Sequence, residues 1–191
     1  MTDQFATLTR QCGLFVIGSS FFAVATAPGF PALAGAGATN VLCFIGSWFF
    51  TTAAWMQLAL ADRTRGTEWW SALTQFVGTL MFNVSTGTSV WVHAVLAERR
   101  FVWAPDATGS SAFLVSGVLA IFAVGMWAPK SVDWQAAWIN LAGCVAFGVS
   151  ALAAFVRKTG VTVDERLANF GTFLGALCFL TAALLLRPRG S

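Results

Sequence analysis

The sequence predicts an all-α integral membrane protein of six transmembrane helices, built as two three-helix halves inserted in opposite orientation. Three observations carry that prediction: the composition, the placement of the charges, and a recurring glycine–phenylalanine spacing. Of 191 residues, 57% are hydrophobic and 10% charged, against about 25% charged in a soluble domain. Mean hydropathy is +0.73. Eighteen Phe and nine Trp, with no Tyr, supply apolar volume without phenolic chemistry. The net charge of +3 is small and scattered, which excludes a nucleic-acid footprint.

The charge-free runs set the elements. A helix needs about 20 apolar residues to cross hydrocarbon, and a charge at the bilayer centre is costly. No Asp, Glu, Lys, Arg or His occurs in the 51 residues between Arg10 and Asp62. That run holds two crossings, 11–27 and 40–61, divided at Pro28-Gly29-Phe30-Pro31 and the Gly/Ala-rich stretch to Asn40. Between Trp69 and Ala97 the one ionisable group among these types is His93, giving a third helix at 69–97. The runs Ala107 to Pro129, Trp134 to Val156 and Leu167 to Leu186 give helices at 111–128, 134–156 and 167–186. Ala25-Thr26-Ala27 has the form of a signal-peptide cleavage site. Pro28 would then begin the mature chain and Asp3 offsets Arg10, so the first helix is expected to be retained.

The repeat sets the expected arrangement. Gly and Phe four residues apart lie on one helix face, and small residues let helices approach closely in lipid. The pair appears as Gly18…Phe22, Gly46…Phe50, Gly78…Phe82, Gly143…Phe147 and Gly175…Phe179, with a degenerate Gly117…Ile121 on helix 4. The marker glycines 18, 46 and 78 are spaced 28 and 32 apart, and 117, 143 and 175 are spaced 26 and 32 apart. This predicts one transmembrane domain over 1–191, made of copies at 1–100 and 101–191, in which helices 2, 3, 5 and 6 meet through their glycine faces. An odd number of helices per copy inverts the second copy. Six basic residues on one side (Arg10, Arg63, Arg65, Lys130, Arg187, Arg189) face five on the other (Arg99, Arg100, Arg157, Lys158, Arg166), so orientation stays open.

Phe44-Ile45-Gly46-Ser47-Trp48-Phe49-Phe50 and Gln75-Phe76-Val77-Gly78-Thr79-Leu80-Met81-Phe82-Asn83 give the chain a likeness to a known group. They resemble the Gly-Ser-x-x-Phe helices of bacterial YrhK-like membrane proteins over residues 40–90, with Gln57 after the first motif and Val84-Ser85-Thr86 after the second. The resemblance implies a small multi-pass protein of the bacterial inner membrane and brings no activity with it.

Helix 3 carries the candidate chemistry. Gln75, Thr79, Asn83, Thr86 and His93 fall on one helical face, widened by Ser85, Thr88 and Ser89. In lipid such a stripe must face protein or water, because unsatisfied polar groups are expensive there. It reads either as the lining of a solute pathway, to which helix 2 would add Gln57, or as interhelical hydrogen bonding. Asn140 and Gln57 are isolated amides, for which structural hydrogen bonding is the default. His93, the one histidine, is expected near an interface, bonded to Glu98 or to backbone. Asn83-Val84-Ser85 spells a glycosylation sequon by chance inside a helix. Cys12, Cys43, Cys144 and Cys178 form no paired or clustered motif, so no metal or cofactor is expected. Trp69, Trp70, Trp103, Trp127 and Trp134 suit an interfacial belt, whereas Trp48, Trp55, Trp91 and Trp138 are expected to pack deeper.

Three classes of function follow. The expected function is a non-enzymatic membrane subunit or scaffold, which accounts for abundant packing motifs and sparse polar chemistry, with the other two classes as alternatives. Its partners would be the lipid bilayer, another membrane protein or further copies of the chain, and no nucleic acid. A small-solute carrier or channel accounts for the polar face of helix 3. An enzyme is disfavoured, because intramembrane acids and bases are almost absent and no catalytic constellation can be assembled on one membrane face. The helix-packing residues expected in every case are Gly18, Gly46, Gly78, Gly117, Gly143 and Gly175.

Overall fold

The computed structural model describes the backbone of residues 2–61, 66–92 and 94–188, and the side chains in those ranges from Thr7 onward. Six long helices follow one another: α1 (Thr2–Thr26), α2 (Phe30–Leu60), α3 (Thr67–Ser89), α4 (Val95–Val124), α5 (Val132–Ala153) and α6 (Glu165–Leu186). The sole β-type pairing among the described residues is an isolated bridge between Val156 and Thr162 in the α5–α6 loop. Five stretches are long and apolar enough to cross a membrane: Thr7–Thr26, Phe30–Leu60, Val95–Val124, Val132–Ala153 and Glu165–Leu186. Helix α3 has the length, with 23 residues, but its run of Gln, Asn, Ser and Thr side chains lowers its hydropathy below the other five.

Several boundaries differ from those the charges suggest. Helix α2 begins ten residues before 40 and bends at Gly35, whose φ of 81° leaves the helical region. Only a residue without a Cβ adopts that conformation cheaply. Helix α3 stops at Ser89 instead of running to 97, and α4 starts at Val95 instead of 111. Charged residues at a membrane surface do not break a helix, so Glu98, Arg99 and Arg100 sit inside α4, in a π-helical stretch over Glu98–Trp103. Pro105 follows directly. Its ring crowds the carbonyl four residues back and it has no N–H to give, and the wider π turn lies over those residues. Helix α4 ends at Gly125, with φ 93°. Side-chain caps open the last two helices: Ser131 accepts from the Trp134 N–H at 3.4 Å and Asp164 from the Leu167 N–H at 2.9 Å.

The helices form a closed ring in chain order, each packed on the next and α6 returning to α1. Reciprocal glycine–phenylalanine contacts single out three hairpins within it. A Cβ added at Gly18 would lie 2.7 Å from the Phe50 ring, and one at Gly46 would lie 3.1 Å from the Phe22 ring. The same exchange joins Gly78 with Phe113 and Gly109 with Phe82 across α3–α4, and Gly143 with Phe179 and Gly175 with Phe147 across α5–α6. Gly109, not Gly117, is therefore the marker of α4. Gly117 packs the other way, against Leu141 and Cys144 of α5.

These contacts group the helices differently from the expected copies at 1–100 and 101–191. Such copies would match the tight α1–α2 pair with α4–α5, which shares no reciprocal glycine contact. Hairpins match instead: glycines 18, 78 and 143 open the three units, and 46, 109 and 175 close them, at intervals of 60–66 residues. Helices α2 and α3 belong to different hairpins, so Gly46 and Gly78 do not face each other. The same reciprocal contact thus recurs three times around the ring.

Candidate functional site

Six phenylalanines, one per helix, fill that centre. Phe22, Phe82 and Phe147 from the odd helices touch one another, with ring centroids 5.5–6.5 Å apart. Phe50, Phe113 and Phe179 from the even helices stack beneath them, with Phe82–Phe113 at 5.0 Å and Phe147–Phe179 at 5.2 Å. Edge-to-face and offset contacts of this kind add to the burial of each ring. The residue after each marker glycine faces the same centre and is small: Ser19, Ser47, Thr79, Ser110, Cys144 and Ala176, all at most 2% exposed. Between the two aromatic layers the free space shrinks to about 10 Å³, bounded by five of the phenylalanines, Ser47 and Thr79. A void of that size holds about one water at most.

A cavity opens on each side of this plug. The first, of about 440 Å³, lies between the starts of α1, α3 and α5 and the ends of α2, α4 and α6. Gln11, Gln57, Ser71, Gln75 and Asn140 line it, with Phe50 and Phe179 as its floor. The second, of about 460 Å³, lies at the opposite helix ends and has Phe22, Phe82 and Phe147 as its floor. Thr39, Asn40, Thr86, Ser89, Asp106, Asn169 and Thr172 line it. All six helices contribute to each cavity, so the two share the axis of the ring.

The polar face of α3 is spread along that axis and is not gathered at one point. Gln75 lies in the first cavity, where its side-chain carbonyl accepts from Ser116 at 3.3 Å. Thr79 sits in the plug, fully buried, and donates to the Phe76 carbonyl of its own helix. Thr86 reaches the second cavity and donates to Phe82 O and to Ser47 of α2. Asn83 departs from the axis: its amide donates to Thr51 of α2 at 2.9 Å, and its buried oxygen has no partner among the described residues. Gln57 joins Gln75 in the first cavity, as expected of a helix 2 contribution. Asn140 also lines it and donates to Cys144 Sγ at 3.8 Å. His93 lies outside the described residues.

Several lining residues were not legible in the pattern. Gln11 and Asn169 are isolated polar residues near helix starts, with no periodic partners. Asp106 precedes the expected start of helix 4 at 111, yet α4 begins at Val95 and carries it into the second cavity. Gly109 could have been found from the Gly-x-x-x-Phe spacing alone, had helix 4 been started a turn earlier. The expected deep packing of Trp48, Trp55, Trp91 and Trp138 is also corrected. They are 55%, 57%, 81% and 40% exposed on the outer circumference. An apolar ring facing lipid pays no hydrophobic penalty, so depth in the membrane does not require burial in the protein.

The fold and cavities define an all-helical bundle with five helices apolar enough to span a membrane and an axial space interrupted by phenylalanine. No protein-family model, curated protein or solved structure matches this chain.

Proposed function

We propose that the chain is a six-span protein of the bacterial inner membrane that provides a gated passage for small neutral or weakly polar solutes. The observation that supports this reading is the pair of cavities on one axis, facing opposite ends of the ring and separated by the phenylalanine plug. Amide and hydroxyl groups line each cavity and would replace part of a solute's hydration. The plug holds no fixed charge, and hydrophobic constrictions of this type gate by excluding water. Helix α3 counts as the sixth span because the ring shields its polar face from lipid. The resemblance of residues 40–90 to YrhK-like membrane proteins accords with the membrane class and is retained as part of the proposal.

Flux through proteoliposomes tests the reading, with glycerol as the solute and light scattering as the readout. Phe82→Val should raise glycerol permeability at least tenfold over wild type by thinning the plug while keeping an apolar side chain. If neither protein differs from protein-free liposomes, the passage is wrong. The alternative of a non-enzymatic membrane subunit or scaffold is favoured by one feature, the use of Asn83 and Thr86 in bonds to α2. A stoichiometric partner retained on purification from native membranes would support it.

A further inference from the structure

The second cavity contains acidic groups that the passage does not use, and Asp106 lies deepest among them. Asp106 lies on α4 seven residues before Phe113, hence about 10 Å along the helix from the plug. If the plug marks the bilayer centre, that depth is still within the hydrocarbon half-thickness of about 15 Å. Ionisable residues at such depth are expensive and usually pair with another group or serve a ligand. Among the described residues Asp106 has no hydrogen-bond or ion-pair partner, although it lines the cavity. The cavity offers it no Lys or Arg among its described residues; the other charged groups there, Glu98 and Glu165, are also acidic. Both lie about 21 Å or more from the plug along their helices, near the mouth.

The opposite wall is aromatic. Phe22, Phe82 and Phe147 form the cavity floor, and ring faces attract cations that shed water easily. Asn169 and Thr86 also line the cavity and carry neutral oxygen acceptors. A divalent metal fits this set poorly, since it needs several hard oxygen or nitrogen ligands at once, and no group of three His, Cys, Asp or Glu side chains occurs among the described residues. The volume of about 460 Å³ matches a small organic molecule.

We propose that this cavity is a binding site for a monovalent organic ammonium ion, with Asp106 opposing its charge and Phe22, Phe82 and Phe147 receiving its apolar body. The site rests on the passage reading for its access from solution, but its occupancy is measured without flux, so the two ideas fail separately.

The test is equilibrium binding of benzyltrimethylammonium to the purified full chain in lipid nanodiscs. Its uncharged isostere neopentylbenzene serves as the comparison. Wild type should bind the cation at least tenfold more tightly than the isostere. Asp106→Asn should abolish that preference, and Asp106→Glu should restore it at least in part. The comparison of the two ligands on wild type needs no variant, so it stands even if Asp106→Asn does not fold. Equal affinity for the two ligands would overturn the proposal, as would an unchanged preference in Asp106→Asn. Displacement of the cation by millimolar Mg²⁺ or Ca²⁺ at unchanged ionic strength would overturn it in favour of a metal site. A glycerol passage that conducts normally while benzyltrimethylammonium fails to bind would retire this site alone.

Discussion

At the scale of single residues, the positions following the marker glycines show how little room the centre allows. Five of the six carry Ser, Thr or Cys, and the sixth, Ala176, shows that no polar atom is required there. Ser47 and Thr79 return their hydroxyls to backbone carbonyls of their own helices, and Ser110 reaches the Phe147 carbonyl of α5 at 3.3 Å. Ser19 does neither: it is completely buried and its hydroxyl has no partner among the described residues. An unsatisfied buried hydroxyl costs about 1–3 kcal/mol. Ser19→Ala should therefore leave stability unchanged or raise it, read as the midpoint of thermal unfolding in detergent. A clear drop in that midpoint would show that the hydroxyl has a partner or a role the structure does not reveal. Asn83 is a different case, because its amide already bonds Thr51 and only its oxygen is unsatisfied.

At the scale of elements, the glycines divide into two kinds by what a methyl group would meet. At Gly78 a Cβ would fall 2.7 Å from the Phe113 ring and 3.1 Å from the Gly109 carbonyl. Phe113 is itself held by Phe82, Phe147 and Phe179, so it has nowhere to move. Overpacking of this kind costs about 1–3 kcal/mol. At Gly13 in α1 nothing lies within 4 Å, and Ala is favoured over Gly in a helix by about 1 kcal/mol. Gly78→Ala should thus lower the unfolding midpoint and Gly13→Ala should raise it. Equal responses would mean that helix propensity, not close approach, explains the glycines.

At the scale of the whole molecule, the three hairpins depend on one shared centre. Phe147 touches rings from four other helices, Phe22, Phe82, Phe113 and Phe179. Truncating a buried Phe to Ala costs about 3–5 kcal/mol, and here the gap opens where all three hairpins meet. Phe122 is also on a helix but is 60% exposed on the outer surface. Phe147→Ala should strongly lower the unfolding midpoint, whereas Phe122→Ala should shift it little. Similar losses would mean that the outer face is covered by another subunit, which is what the scaffold reading requires.

The sequence by itself determined the helical class, five of the six helices to within a turn at one end or both, and the motif that holds them together. Charge placement and composition are local quantities, and the solvent makes them decisive: a bilayer rejects unpaired backbone and charge wherever they occur along the chain. It also placed Gln75, Thr79 and Thr86 on one face, because a face depends only on helical periodicity. Partner choice was not available in that way. Every helix carries a Gly and a Phe four apart, so the pattern itself is nearly the same for any pairing of neighbours. Gly109 meets Phe82, and Gly117 meets Leu141, because the ring closes in chain order and each hairpin turns its small face inward on its mate. The same closure decided that Asn83 leaves the axis, that Gln75 and Thr86 open to opposite cavities, and that Asp106 enters one of them. Those positions follow from how far each helix is rotated about its own axis within the ring, and only the packing of six helices against one another fixes that angle.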